Sequence, residues 1–340
     1  MPQAAQRSGM TATQSSATAA GPDRPSAVLP DTMRAIRQEV LGGPDVLKLR
    51  EVPRPEPGPT EVLVRVTAAG VNPLDWKTRT QGAFLGQPPF TVGADVAGVV
   101  AALGSGVTRF AVGERVFGIP HFPGEAAAYA QYVTAPSRRL ARTPKRLSDV
   151  EAAALPMAAL TAWQALVETA DVQAGQRVLI TGAAGGIGHL AVQIAKTRGA
   201  YVIGAARAAK HALLAQLGAD ETIDYTRQPL GDVAGDIDVV LDLAGGQTPL
   251  RAVPALRDGG LLIAVTSGGD LASQAAGGRV RVTYLLVEPN RAGLEAIAEL
   301  VGSGRLRVHV ARTFPLAQAA RAHELGQTGQ TQGKLVLTID

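Results

Sequence analysis

Residues Gln176–Arg207 read QRVLITGAAGGIGHLAVQIAKTRGAYVIGAAR, and the order of features in them decides the fold. Arg177–Thr181 is a short run of β-branched residues and Leu, the pattern of a buried strand. Glycines follow at Gly182, Gly185, Gly186 and Gly188. Leu190, Val192, Ile194 and Ala195 then suit a helix packed on a sheet. Gly199 closes that helix, and Tyr201–Gly204 begins a second strand. The result is a βαβ unit with its glycines at the strand-to-helix turn. Glycine is needed there because a side chain would hold the backbone away from a ligand. The N–H groups at the helix N-terminus are then free to cradle a pyrophosphate. A strict G-x-G-x-x-G would place glycine at position 183, where Ala183 stands. A turn-rich loop is the plain alternative for glycines alone; strand, turn, helix and strand in this order favour a dinucleotide site.

The end of the second strand speaks to the choice of dinucleotide. An Asp or Glu about 20 residues after the glycines usually holds a ribose 2′-hydroxyl. Here the chain reads Gly204-Ala205-Ala206-Arg207-Ala208-Ala209-Lys210, without an acid. Arg207 and Lys210 suit a 2′-phosphate, so the expected cofactor is NADP(H). Two solvated cations at a helix start are the alternative.

A chain of 340 residues with 46% apolar residues has room for two α/β-type domains. Its formal charge of +4 comes without the Lys/Arg clustering that nucleic-acid binding requires. Cysteine is absent, which excludes disulfides, thiolate catalysis and cysteine-ligated zinc. No apolar run of transmembrane length is free of polar breaks. Residues 1–32, rich in Ala, Ser, Thr and Pro, lack a signal-peptide core and read as a disordered leader. Met33 is an alternative start, and a cytoplasmic setting is the simplest placement.

Before the βαβ unit, short strands alternate with Gly/Pro turns: Met33–Val40, Val46–Glu51, Glu61–Thr67, Val92–Val100, Gly113–Gly118 and Ala127–Thr134. They predict an irregular β-barrel. Asp75 is a candidate cap for a short helix after the loop Ala69–Lys77. Leu147–Leu166 turns helical, broken at Pro156. After the unit, Glu221–Tyr225, Ile237–Asp242, Gly260–Thr266 and Arg279–Val287 read as further strands of a six-stranded doubly wound parallel sheet. Ala292–Val301 reads as a helix and Leu335–Ile339 as a last strand. The expected layout is a first domain over 33–157, a dinucleotide-binding domain over 158–290 and a return to the first domain over 291–340.

The chain resembles the medium-chain dehydrogenase/reductase superfamily, and most closely its zinc-free quinone oxidoreductase branch, with the zeta-crystallin-like proteins. The resemblance is carried by Gly70-Val71-Asn72-Pro73-Leu74-Asp75-Trp76-Lys77 and by Gly93-Ala94-Asp95-Val96-Ala97-Gly98-Val99-Val100. Ala154-Leu155-Pro156-Met157 with Leu160-Thr161-Ala162, the glycine turn, and Gly333-Lys334-Leu335-Val336-Leu337 add to it. It runs from about Met33 onward. It implies a GroES-like β-barrel substrate domain beside a Rossmann domain, with the cofactor in the cleft between them. Zinc-dependent members carry Cys near the position of Asn72 and His near that of Ala94, so no metal is expected.

The resemblance also implies roles. Asn72 would lie beside the nicotinamide, and Thr161 would hydrogen-bond the cofactor near that end. Ala184, Gly185, Gly186 and Ile187 would present backbone to the pyrophosphate. Lys210 and Tyr225 would reach the adenosine phosphate, while Val265, Thr266 and Ser267 would border the nicotinamide ribose. Some members use an Arg near the C-terminus; Gly329 or Gln330 stands there, and Lys334 is the residue expected to compensate as a cofactor contact. Lys77 occupies a position where such enzymes often have Tyr, and with Asn72 it is the candidate catalytic donor. For Asn72 the alternative is a turn residue before Pro73, and for Lys77 a solvated helix lysine. The implied activity is NADPH-dependent reduction of a small-molecule quinone or enone, with neither nucleic acid nor membrane as partner. Arg279–Val287 reads as an exposed edge strand through which a homodimer would form. A short-chain dehydrogenase is excluded, since no tyrosine has lysine four residues later. A non-catalytic NADPH-binding protein, crystallin-like or sensory, remains the alternative.

Overall fold

The computed structural model describes residues 29–233, 236–265 and 276–340, and the elements below belong to the compact unit Thr32–Asp340. Strands β1 (Thr32–Gln38), β2 (Lys48–Pro53) and β4 (Phe90–Thr91) form a small sheet in the order β2-β1-β4. Between β1 and β2, Pro44–Val46 close into a 3-10 turn, so β2 starts later than the apolar pattern suggests.

The centre of the larger N-terminal sheet is the eleven-residue strand β3 (Glu61–Val71), whose Val62, Val64 and Val66 are buried. It pairs antiparallel with β5 (Asp95–Leu103), β7 (Tyr132–Pro136) and β16 (Lys334–Thr338). With β6 (Arg115–Gly118), β8 (Leu140–Arg142) and β15 (Val310–Pro315), the ladder runs β15-β16-β3-β5-β6-β8, and β7 lies off this path on β3. The extended run expected from Ala127 begins only at Tyr132. Ala127 has φ 50°, a left-handed conformation no strand continues through, and Tyr129 bonds back to Val92 instead. Helix α1 (Pro73–Gln81) leaves the end of β3, and α2 (Asp149–Ala153) with α3 (Pro156–Trp163) crosses to the second sheet.

That sheet is built from β9 (Arg177–Thr181), β10 (Tyr201–Ala205), β11 (Glu221–Ile223), β12 (Ile237–Asp242), β13 (Leu256–Ala264) and β14 (Arg281–Tyr284). The order is β11-β10-β9-β12-β13-β14 and every pairing is parallel, the six-stranded doubly wound arrangement expected. Val178, Leu179 and Ile180 of β9 are wholly buried, as a central strand covered on both faces requires. Each contributes about 1.5–3 kcal/mol relative to exposure. Helices α4 (Gly188–Thr197), α5 (His211–Gln216) and α6 (Thr248–Ala252) connect these strands.

Helix α7 (Arg291–Gly302) places Leu294, Ile297, Leu300 and Val301 in the same apolar cluster as α3, α4 and β9. The chain rejoins the first sheet only at β15, followed by α8 (Ala319–Gln327) and β16. No helix among the described residues is long and apolar enough to cross a membrane.

Candidate active site

The strand order reverses between β9 and β12, and in such sheets ligands bind outside the carboxyl ends of the strands at that point. Here a cleft of about 1970 Å³ opens there, lined from the glycine turn on one side to α1 on the other. At the turn, Gly182 has φ 61°, and a Cβ on Gly188 would lie 2.4 Å from the Gly182 carbonyl oxygen and 2.5 Å from that of Ala183. Only glycine lets the helix start this close to the strand. Buried His189 tightens the turn: its Nδ1–H donates to the Gly185 carbonyl (2.9 Å), and its Nε2 accepts from the His309 N–H (3.1 Å). Desolvation is the main cause that lowers its pKa to about 4, so it works as a neutral imidazole.

Arg207 is exposed just beyond β10; its carbonyl accepts the Lys210 N–H (2.9 Å), and its side chain forms no hydrogen bond or ion pair among the described residues. Lys210 approaches the Thr331 carbonyl (3.5 Å). Its pKa is lowered by desolvation and then by the charge of Arg207. Two neighbouring cations in this state invite an anion. Tyr225 stands exposed at the same end, turned outward where Asp224 accepts from the Thr226 N–H and hydroxyl.

At the other end, Asn72 is buried between β3 and α1. Its backbone N–H donates to Asp75 Oδ2 (2.7 Å), and its Nδ2 donates to Asp95 Oδ2 (2.9 Å). Lys334 Nζ donates to the Asn72 amide oxygen and to the Val71 carbonyl (3.0 Å). It forms an ion pair with Asp95 Oδ2 at 3.7 Å. An ammonium only donates and an ionised carboxylate only accepts, so these partners fix the orientation of the Asn72 amide. The second N–H of this amide has no acceptor among the described residues, and Asn72 lines the cleft. Lys77 is exposed on the rim. Thr161, buried on α3, donates its hydroxyl to the Met157 carbonyl (2.7 Å) and keeps its lone pairs for a ligand.

Behind the cleft a second polar chain runs inward. Arg79 NH1 donates to His323 Nδ1 (3.1 Å), His323 Nε2–H donates to the Tyr129 hydroxyl (3.1 Å), and that hydroxyl donates to Asp75 Oδ2 (3.0 Å). Burial raises the Asp75 carboxyl from 3.8 to about 7. Below pH 3.8 this group is protonated whether the chain is folded or not. Between pH 3.8 and about 7 only the folded state keeps the proton, so stability falls as pH rises. Above about 7 the whole cost is present, on the order of 4 kcal/mol. His323 works the other way: burial, then Arg79, lowers it from 6.5 to about 3, so stability falls as pH drops through that window. Asp75→Asn keeps an oxygen for both donors and removes the alkaline-side cost. Denaturant titrations at pH 4.5, 6 and 8 should show the variant gaining on the wild type as pH rises. A difference that is constant across pH would refute the assignment.

The structure thus brings Asn72, Lys77, Thr161, Ala184, Gly185, Gly186, Ile187, Arg207, Lys210, Tyr225, Val265 and Lys334 onto one cleft. Thr266 and Ser267 lie outside the described residues, as does most of the leader. Sequence reasoning missed Asp95 as a site residue, and it missed Arg79, Tyr129 and His323, which lie far apart in the chain.

Two family models match. "Alcohol dehydrogenase GroES-like domain" covers residues 58–145, and "Zinc-binding dehydrogenase" covers residues 217–337. A 2-haloacrylate reductase from a Burkholderia species is 36% identical over 87% of this chain and 96% of its own length. A chloroplastic NADPH-dependent alkenal/one oxidoreductase from Arabidopsis thaliana is 34% identical over 96% of this chain and 85% of its own. Among solved structures, a quinone oxidoreductase from Coxiella burnetii superposes with a TM-score of 0.87 at 37% identity, covering 91% of this chain and all of that one. The donor set here does not fit zinc: cysteine is absent, and among the described residues no three His, Asp or Glu side chains are grouped to hold a metal.

Proposed function

The chain belongs to the medium-chain dehydrogenase/reductase superfamily, in its quinone oxidoreductase branch, and from that premise we propose that it reduces quinones or α,β-unsaturated carbonyls with NADPH and without a metal. One observation carries the reading. A single cleft has a pyrophosphate-compatible glycine turn and two unshielded cations at one end. At the other, the Asn72 and Lys77 donors stand among the apolar walls Leu74, Phe84, Phe122 and Met157. The names of the relatives support it: a quinone oxidoreductase, an NADPH-dependent alkenal/one oxidoreductase and a 2-haloacrylate reductase.

NADPH supplies the hydride when bound. The glycine turn and α4 would hold its pyrophosphate, Arg207, Lys210 and Tyr225 its adenosine phosphate, and Thr161, Val265 and Asn72 would border its nicotinamide end. A conjugated substrate carries its own electron sink, and negative charge develops on its carbonyl oxygen. A donor aimed at that oxygen lowers the barrier. The free Asn72 N–H and the Lys77 ammonium are the donors in place, and Lys77 or water returns a proton to the α-carbon. An isolated carbonyl would instead develop a full alkoxide with few donors near it. The homodimer expected through Arg279–Val287, where β14 ends the parallel sheet, and a cytoplasmic setting belong to the same reading.

The test is product analysis with deuterated NADPH and a simple enone. Deuterium is expected at the β-carbon, with the double bond reduced. Deuterium at the carbinol carbon, with the double bond intact, would mean a carbonyl reductase.

A further inference from the structure

Asp95 sits at the first position of β5, with no exposure to solvent. It takes part in neither hydride delivery nor cofactor contact in the reading above. Its surroundings are nevertheless built around it. Oδ1 accepts the Met157 N–H (2.9 Å) near the N-terminus of α3, the helix that carries Thr161. Oδ2 accepts from Asn72 Nδ2 (2.9 Å) and faces Lys334 Nζ at 3.7 Å. The strand opposite leaves room for it: a Cβ on Gly70 would lie 2.8 Å from Oδ2 and 2.3 Å from the Ala153 carbonyl oxygen.

Lys334 in turn reaches the glycine turn. Its Cδ lies 3.2 Å from where a Gly186 Cβ would stand, its backbone N–H donates to the His309 carbonyl (2.9 Å), and the Gly333 N–H donates to the Ala184 carbonyl (3.1 Å). One carboxylate thus touches the substrate-side amide, the helix bearing Thr161, and the lysine that leans on the cofactor turn.

We infer that Asp95 is a positioning residue for hydride transfer: it orients the Asn72 amide and keeps the Lys334 ammonium charged beside the glycine turn. This rests on the proposed reaction. A buried ammonium without an anion loses its proton easily, since desolvation disfavours the charged form. Desolvation lowers the Lys334 pKa and Asp95 is the largest opposing influence, with Asp75 next. The titratable groups facing Lys334 are Asp95 on β5, Asp75 on α1, His189 on α4 and His309 ahead of β15. His189 stays neutral through the range concerned, which leaves Asp95, and Asp75 once it ionises above about pH 7, as the anions that hold the charge. Burial raises the Asp95 carboxyl too, and Lys334, Asn72 and the Met157 N–H oppose that rise.

The experiment compares wild type, D95N and the doubly neutral D95N/K334M. It reads thermal melting, the NADPH Kd from pH 6 to 10, and kcat over the same range with a panel of quinones and enones. An Asn at 95 has one acceptor for two donors, so either Met157 or Asn72 loses its partner. Misplacement on the 1 Å scale costs about 10²-fold in rate, and that is the expected fall in kcat for D95N. Its alkaline break in NADPH affinity and in kcat should also move to lower pH. D95N/K334M, which lacks both members of the Asp95–Lys334 ion pair, should melt cooperatively, turn over as slowly, and show no such break. A purely structural Asp95 would lower the melting temperature and leave the pH of the break unchanged, and that result overturns the inference. So does a wild-type break in the double variant. If the wild type reduces nothing in the panel, the proposed reaction fails, while the NADPH affinity profiles still decide whether Asp95 sets the charge of Lys334.

Discussion

Asn72→Ala should lower kcat by about 10²–10³, the effect of removing one donor aimed at a developing oxyanion, or about 2.7–4 kcal/mol. The expected size follows from how the amide is held. Its oxygen is taken by Lys334 and one N–H by Asp95, so the remaining N–H is fixed before any substrate arrives. A donor already in place costs no reorganisation as charge builds on the carbonyl oxygen. Truncation also leaves the Lys334 and Asp95 groups each short of a partner in a buried place, which costs stability as well. The two effects separate by measurement. The melting temperature reports the second, and the primary deuterium isotope effect on kcat reports the first, because slowed hydride transfer becomes more fully rate-limiting. A kcat within about threefold of wild type would remove Asn72 from the reaction and leave it a turn residue before Pro73.

The second large effect is in cofactor choice. A hydrogen bond to a charged group contributes about 1.5–3 kcal/mol, so Arg207→Ala should weaken NADPH roughly 10- to 150-fold. NADH, without the 2′-phosphate, should change little. Lys210→Ala should act in the same direction. Arg207 is exposed, so its attraction to a phosphate is screened by salt, and the NADPH preference should shrink as ionic strength rises. Titration calorimetry with both dinucleotides at two salt concentrations decides the matter. Equal affinity of the unmutated protein for the two would sink the assignment.

The parallel sheet was legible because its signals are local. Arg177–Thr181, the glycines and Tyr201 lie within one turn-and-helix unit, and Ile237–Asp242 and Leu261–Ala264 after it are short apolar runs. Arg279–Val287 shortened to Arg281–Tyr284 because an outer strand is paired on one side only. The N-terminal sheet was harder. The conformation at Ala127 leaves no mark in composition, and β15, with Arg312 and Thr313 exposed, has no apolar pattern to read. The site divided in the same way. The turn and the missing acid after Tyr201 could be read from spacing. Lys334 came from a resemblance, and Asp95 was seen only as part of one. Arg79 and Tyr129 meet His323 across 244 and 194 residues of chain, a distance over which no periodicity connects them. His323 looked like a scattered histidine because its partners are brought to it only by the fold.

The pairing of β16 with β3 also matters during synthesis. Val71 and Lys334 are hydrogen-bonded partners separated by 263 positions. At a translation rate of about 5–20 residues per second, residue 334 emerges roughly 13–50 s after residue 71. Through that interval Ala68–Val71, which β16 covers, offer an unpaired ladder edge of apolar residues. The parallel sheet has its strands complete well before then and can fold first. A nascent chain therefore carries the strand, turn and helix of the cofactor unit while the turn still lacks its contacts with His309, Gly333 and Lys334 and the substrate side still lacks a strand. Ribosome-bound intermediates should accordingly be the species most dependent on chaperones, and slow codons between positions 285 and 334 would lengthen that dependence.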